Sequence, residues 1–173
     1  GTSTYDSNSF SSKFIVFEIL DEDKYKLQIT LNSLNINAYY ELNSYNAVFV
    51  WIFLQDELPS KIVFNFAQFI LKKANISAKI YPNKEFATKE SLGNSLELPL
   101  HLKFRDKNKT VFIDVNTNKI YEDQWQILNN VQKVSKQIIY NFGEITSVNN
   151  EEKELKKIEF PLNNIEMILE DAI

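Results

Sequence analysis

The stretch Asn46-Ala-Val-Phe-Val-Trp-Ile-Phe-Leu54 constrains the fold more than any other in the chain. It is the most apolar, β-branched and aromatic run, which is the composition of a central strand. Read with a period of two, Phe49, Trp51 and Phe53 share one face, and Val48, Val50 and Ile52 share the other. Both faces are apolar, so both are expected to be covered. A chain of 173 residues, 44% hydrophobic and 13% aromatic, is long enough to supply that cover from one domain or slightly more.

Around this run the chain reads as alternating strands and helices. Lys13–Leu20 is a strand, with Phe14, Val16, Glu18 and Leu20 on one face and Ile15, Phe17 and Ile19 on the other. Asp21-Glu-Asp23 supplies a cap and first-turn acids for a helix striped by Leu27, Leu31 and Leu34. Ile36–Glu41 is a second strand, and Leu42–Tyr45 turns it into the central one. Leu58-Pro-Ser60 opens a long helix marked by Ile62, Phe66, Phe69, Ile70 and Lys73, and Ser77–Tyr81 is a short strand. The order is β-α-β-β-α-β, the split-βαβ arrangement of ferredoxin-like and RNA-recognition folds, in which the first and third strands are central neighbours. Glu18 and Phe49 are then expected close together.

In the second half, Pro82–Ser91 is expected as a loop, with a turn and strand over Leu92–Leu100 and a strand over Leu102–Phe104 carried on from it. Arg105–Lys109 reads as a charged turn, and Thr110–Val115 as another strand. A helix is expected over Tyr121–Lys136, capped near Asp123, with Trp125 anchoring it to the sheet. Glu144–Lys157 is charged and Asn-rich, hence a linker; Lys157–Pro161 suits a short strand and Leu162–Ala172 a last helix. Gly93 suits a turn of positive φ. The expected division is a flexible lead-in over 1–12, a domain over 13–140, and a linker with a strand-helix extension over 141–173.

Composition excludes several functions. The chain has no cysteine and one histidine, His101, so it carries no disulfide framework, thiolate metal site or His-rich metal site. The formal net charge of −4 lacks the basic balance of a typical nucleic-acid module, so such binding would rest on a local patch or on stacking. No apolar run approaches the roughly 20 residues of a membrane helix, and no secretory signal is visible. A soluble, cytoplasmic protein is expected, with no membrane partner. The chain lacks an initiating Met, which suggests a piece of a longer polypeptide whose other domains would be partners.

Several stretches together resemble one family. Phe14-Ile-Val-Phe-Glu-Ile-Leu20 lies where that family has a strand ending in Asp-x-Asp. Ala38-Tyr-Tyr-Glu41 with Asn46-Ala-Val-Phe-Val-Trp-Ile-Phe53 resembles its AYLE…NGAHVWIF hairpin. Ile80-Tyr-Pro-Asn-Lys84, Leu92-Gly-Asn94 and Leu98-Pro-Leu100 resemble FPNQ…LGN…LPL, and Thr110-Val-Phe-Ile-Asp114 with Asp123-Gln-Trp125 resembles SVFVD…DQW. The family is the primase domain of TOTE conflict systems, a branch of the archaeo-eukaryotic primase superfamily, and the likeness runs over roughly 13–136. It implies an α/β (α+β) primase-like fold, a β-α-β-β-α-β RNA-recognition-like unit plus a second small sheet unit with helices. It also implies two-metal phosphoryl transfer, with carboxylates holding the ions and a histidine on the nucleotide phosphates.

Carried over by position, the family's first Asp falls on Glu18, its second on Leu20, its histidine on Phe49 and its third acid on Asp114. Leucine cannot bind a metal and phenylalanine cannot grip a phosphate. The favoured expectation is therefore a catalytically degenerate domain without a cofactor, binding DNA or acting as a scaffold inside a larger helicase- or nuclease-type protein. One alternative is a living primase-polymerase using Glu18, Asp114 and a substitute acid with Mg or Mn. Another is a protein-interaction domain whose cleft is filled by Leu20, Phe49 and Trp51. Phe49 and Trp51 suit either a base-stacking platform or core packing against the second half. Lys84, Lys89, Lys103, Arg105, Lys107 and Lys109 suit either a phosphate-contacting patch or an ordinary solvated loop. Glu18 and Asp114 suit either residual ligands or strand-end acids, and His101 suits an ordinary strand position.

Overall fold

A computed structural model describes residues 2–3, 11–43, 45, 47–83, 87–88, 91–92 and 95–142. The elements in order are β1 (Thr2–Ser3), β2 (Ser11–Ile19), a 3-10 turn over Asp21–Asp23, α1 (Lys24–Ser33), β3 (Tyr39–Leu42), β4 (Val48–Pro59) and α2 (Ser60–Ala74). They are followed by β5 (Lys79–Tyr81), β6 (Ala87–Thr88), β7 (Ser91–Leu92), β8 (Ser95–Leu96), α3 (Leu102–Arg105), β9 (Val111–Ile113) and α4 (Gln124–Asn129). Backbone from 136 to 142 is helical as well.

Five strands form one sheet in the order β5-β2-β4-β3-β9, every neighbouring pair antiparallel. Its first four strands are the split-βαβ unit, and the second half adds β9 as a fifth strand beside two short pairings, β1 with β8 and β6 with β7. The apolar run lies in β4, which is longer than its apolar stretch and continues to Pro59, where it pairs with Ser11 and Ser12. The lead-in therefore gives its last two residues to β2.

Both faces of β4 are covered, as its alternation requires. On one face Ile15, Phe17, Val48, Val50 and Ile52 pack under Leu27 and Leu31 of α1 and Val63, Phe66, Ala67 and Ile70 of α2. Burying such side chains contributes about 1.5–3 kcal/mol each. On the other face Val16, Phe49, Trp51, Phe112 and Leu96 form a second, smaller core, flanked by Phe14, Tyr39, Phe53, Tyr81, Ile127 and Leu128.

The helices start and stop for local reasons. Asp21, Glu22 and Asp23 lie at the start of the first helical segment, where carboxylates meet the positive end of the helix dipole. Left-handed residues follow both long helices: Asn35 at φ 55° and Asn75 at φ 54°. Ile36 N–H reaches back to the Leu31 carbonyl and Ile76 N–H to that of Leu71. A chain with three glycines uses asparagine for these caps.

The second half departs from expectation in several places. Residues 98–100 are loop and turn, and 102–105 form a helical turn rather than a strand. His101 therefore precedes that turn instead of lying in a strand. The helix expected to 136 stops at Asn129, with Asn130 as its cap, because two successive asparagines disfavour helix and Val131 and Val134 suit extended backbone. Val134 instead bridges Leu54 of β4, with Gln55 N–H donating to its carbonyl at 2.9 Å and its own N–H to that of Phe53 at 2.8 Å. Trp125 is 56% exposed, and Ile127 and Leu128 take the sheet-facing positions assigned to it. Part of the expected 82–91 loop is a short hairpin instead, Ala87 pairing with Leu92 and Thr88 with Ser91. The expectations for Gly93, for residues 84–86 and 89–90, and for the linker, strand and helix beyond 142 lie outside the described residues.

Candidate functional site

Register places the motif positions. Reading across the sheet, Lys79, Glu18, Phe49, Glu41 and Phe112 stand in one row. Tyr81, Val16, Trp51 and Tyr39 stand in the next. Both rows face away from α1 and α2. Glu18 and Phe49 are thus direct cross-strand partners on the open side of the sheet. A cleft of about 420 Å³ lies over this row, lined by Glu18, Asn43, Tyr45, Phe49, Lys79, Tyr81, Leu96 and Glu97.

Glu18 has both carboxylate oxygens engaged. The Tyr81 hydroxyl donates to Oε2 at 2.9 Å and Lys79 Nζ to Oε1 at 3.2 Å. Burial, helped by the bond to Glu18, pushes the Tyr81 hydroxyl up to about 12. Phe49 is 6% exposed and packs against the Tyr81 ring, centroids 6.2 Å apart. Leu20 is 65% exposed and does not line the cleft. With Trp51 buried beneath, the cleft stays open rather than filled by these side chains.

Trp51 does not serve as a surface platform. It is 1% exposed, its ring stacks on Phe53 with centroids 5.9 Å apart, and its Nε1 donates to Glu41 Oε2 at 2.5 Å. The expectation that it contacts nucleic acid is corrected: Phe14, Phe53 and the second core cover its faces.

Asp114 follows the end of β9, and Phe112 on that strand is three strand spacings from Glu18, about 14 Å at roughly 4.8 Å per strand. Its Oδ1 accepts from Asn116 N at 3.0 Å, Thr117 N at 2.8 Å and Thr117 Oγ1 at 3.0 Å. Those bonds, the Thr117 backbone foremost, hold its carboxyl below the usual range. Asp114 thus closes its own turn and is not brought to Glu18. The nearby acids are engaged too: Asp21 with Lys24 at 2.6 Å and Asp23 with Lys26 at 2.9 Å. Among the described residues no group of three or more His, Asp or Glu side chains is placed to hold a metal ion.

Sequence reasoning missed Glu41, Lys79, Tyr81 and Glu97. Glu41 carried a signal: a carboxylate inside an apolar hairpin, on the parity of Phe49. It is fully buried, one oxygen has no hydrogen-bond partner, and burial above all pushes its carboxyl up to about 8. Nothing local marked Glu97.

Of the basic candidates, Lys103, Arg105, Lys107 and Lys109 lie on one loop. It is pinned beside β3, because Leu100 N–H donates to the Thr110 carbonyl and Thr110 N–H to that of Leu42. Leu42 pairs with Val48, so the loop rises from the end of the sheet that carries the Glu18–Phe49 pair. Lys84 and Lys89 lie outside the described residues.

Among protein families, the sequence matches the one described as the TOTE conflict system archaeo-eukaryotic primase domain, over residues 5–142. A comparison with curated proteins returned no match. Among the described residues no helix is long and apolar enough to cross a membrane.

Proposed function

Since the chain belongs to the archaeo-eukaryotic primase family of TOTE conflict systems, we propose that it is a primase-like domain that does not transfer nucleotides. In this reading it binds DNA, or scaffolds other domains, within a larger helicase- or nuclease-containing protein of a mobile element or defence system. The observation that carries the reading is the state of Glu18. Its two oxygens are already engaged by Lys79 and Tyr81, and its cross-strand partner is Phe49.

The donor set does not fit a pair of divalent cations. A hard cation takes six or more oxygens, most of them anionic or carbonyl in such sites. Here Leu20 stands at the second position, and Asp114 is about three strands away with its Oδ1 committed to a turn. Lys79 adds a positive charge beside the one remaining carboxylate. DNA contact is assigned to the 101–109 loop, whose cations rise beside the cleft rather than within it.

Primer extension with the 173-residue chain, in Mg²⁺ and in Mn²⁺, tests the catalytic half. No extended product is expected. Extension that disappears in both Glu18→Ala and Asp114→Ala would overturn it. Fluorescence polarisation with DNA at low salt tests the binding half, and no binding to either single strand or duplex removes it.

A further inference from the structure

The 101–109 loop carries more than charge. We propose that it is a stacking site for an unpaired nucleobase, with the His101–Phe104 ring pair as the platform and Lys103, Arg105 and Lys107 holding the flanking phosphates. The proposal rests on the nucleic-acid reading above and narrows it to single-stranded DNA or RNA, bound outside the cleft.

Three observations converge. The loop carries four cations (Lys103, Arg105, Lys107 and Lys109) against one acid, Asp106, in a chain whose net charge is −4. Arg105 Nε approaches Asp106 Oδ1 at 3.6 Å, while Lys103 and Lys107 are exposed. The rings lie at the surface as a tilted pair: His101 is exposed, Phe104 is half-buried, and their centroids lie 5.5 Å apart with the planes at 39°. Lys103 Nζ sits 5.4 Å from the Phe104 centroid, and Leu102 adds 71% exposed apolar surface. Sequence-tolerant single-strand binding combines such rings with a cationic track along the backbone.

The loop is also held in shape before any ligand arrives. Inside it, Arg105 N–H returns to the His101 carbonyl and Lys109 N–H to that of Phe104. At its two ends Leu100 and Thr110 adopt φ 59° and 56°. These left-handed values are costly for side chains of that size, and such conformations persist where surrounding structure over-determines them. A four-residue helical turn is too small to fill a major groove about 12 Å wide.

The test measures anisotropy of labelled 12-mers (single-stranded DNA, single-stranded RNA and the DNA duplex) with the full chain, over a salt series. Either single strand is expected to bind at least tenfold more tightly than the duplex. His101→Ala and Phe104→Leu, each checked for fold by circular dichroism, should together weaken single-strand binding about tenfold with the salt slope unchanged. Lys103→Ala with Lys107→Ala should instead lower the slope by about 0.7 per lost phosphate contact. Equal binding of duplex and single strand, or ring variants that bind like the parent, would overturn the stacking site while leaving DNA binding standing. Absence of all binding removes both. The ring pair has no part in primer extension, so that result stays independent.

Discussion

Glu41 is the residue whose chemistry the sheet most strongly alters. It is buried between Phe49 and Phe112 with one oxygen bonded to Trp51 and the other unpartnered. Its folded-state value of about 8 lies above the usual 4.5. The folded protein therefore keeps a proton that the unfolded chain releases. The stability Glu41 contributes is complete below about pH 4.5 and is lost as pH rises towards 8, at a limiting slope of about 1.4 kcal/mol per pH unit. Glu41→Gln is expected to flatten that decline and to raise the urea midpoint at pH 8.5. Parallel pH profiles for the two proteins would show that Glu41 is ionised in the fold.

At the scale of elements, residues 131–135 show how a β-bridge is won from a helical pattern. Val134 is buried, and its backbone bonds β4 on both sides, to Phe53 and Gln55. That short parallel bridge also delivers the 136–142 helix to α2, where Phe142 meets Phe66 and Phe69 at 5.8 and 5.2 Å. Val134→Pro removes the donor to Phe53 and leaves that carbonyl without this partner. A loss of at least about 2 kcal/mol is expected in denaturant unfolding. A change below about 0.5 kcal/mol would mean that the bridge is incidental.

At the scale of the whole molecule, the five-stranded sheet carries a core on each face, and β2 and β4 contribute to both. Neither core can be lost without exposing the strands that carry the other, so unfolding is expected to be a single transition. Trp51 reports the smaller core and far-UV circular dichroism reports the helices over the larger one. In a Trp125→Phe background the two curves should coincide. Phe112→Ala, in the smaller core, should shift both together by about 3 kcal/mol. Separate midpoints would show that the second core melts independently.

The sequence by itself determined what depends on near neighbours. The period-two parity of Phe49, Trp51 and Phe53, the Leu27–Leu31 stripe, the β-α-β-β-α-β order and the Asp123 cap, which accepts from Gln126 N–H at 2.9 Å, are all local patterns, and the motif spacings pointed to the family. Only the tertiary structure decided what stands beside what. Parity could offer Trp51 to either solvent or a second core, and packing by Leu96 and Phe112 settled it. Glu18 and Asp114 read alike as strand-end acids, yet register gave one to Lys79 and Tyr81 and left the other closing a turn across the sheet. The Tyr81–Glu18 bond joins residues 63 positions apart, and no local periodicity encodes a contact at that separation.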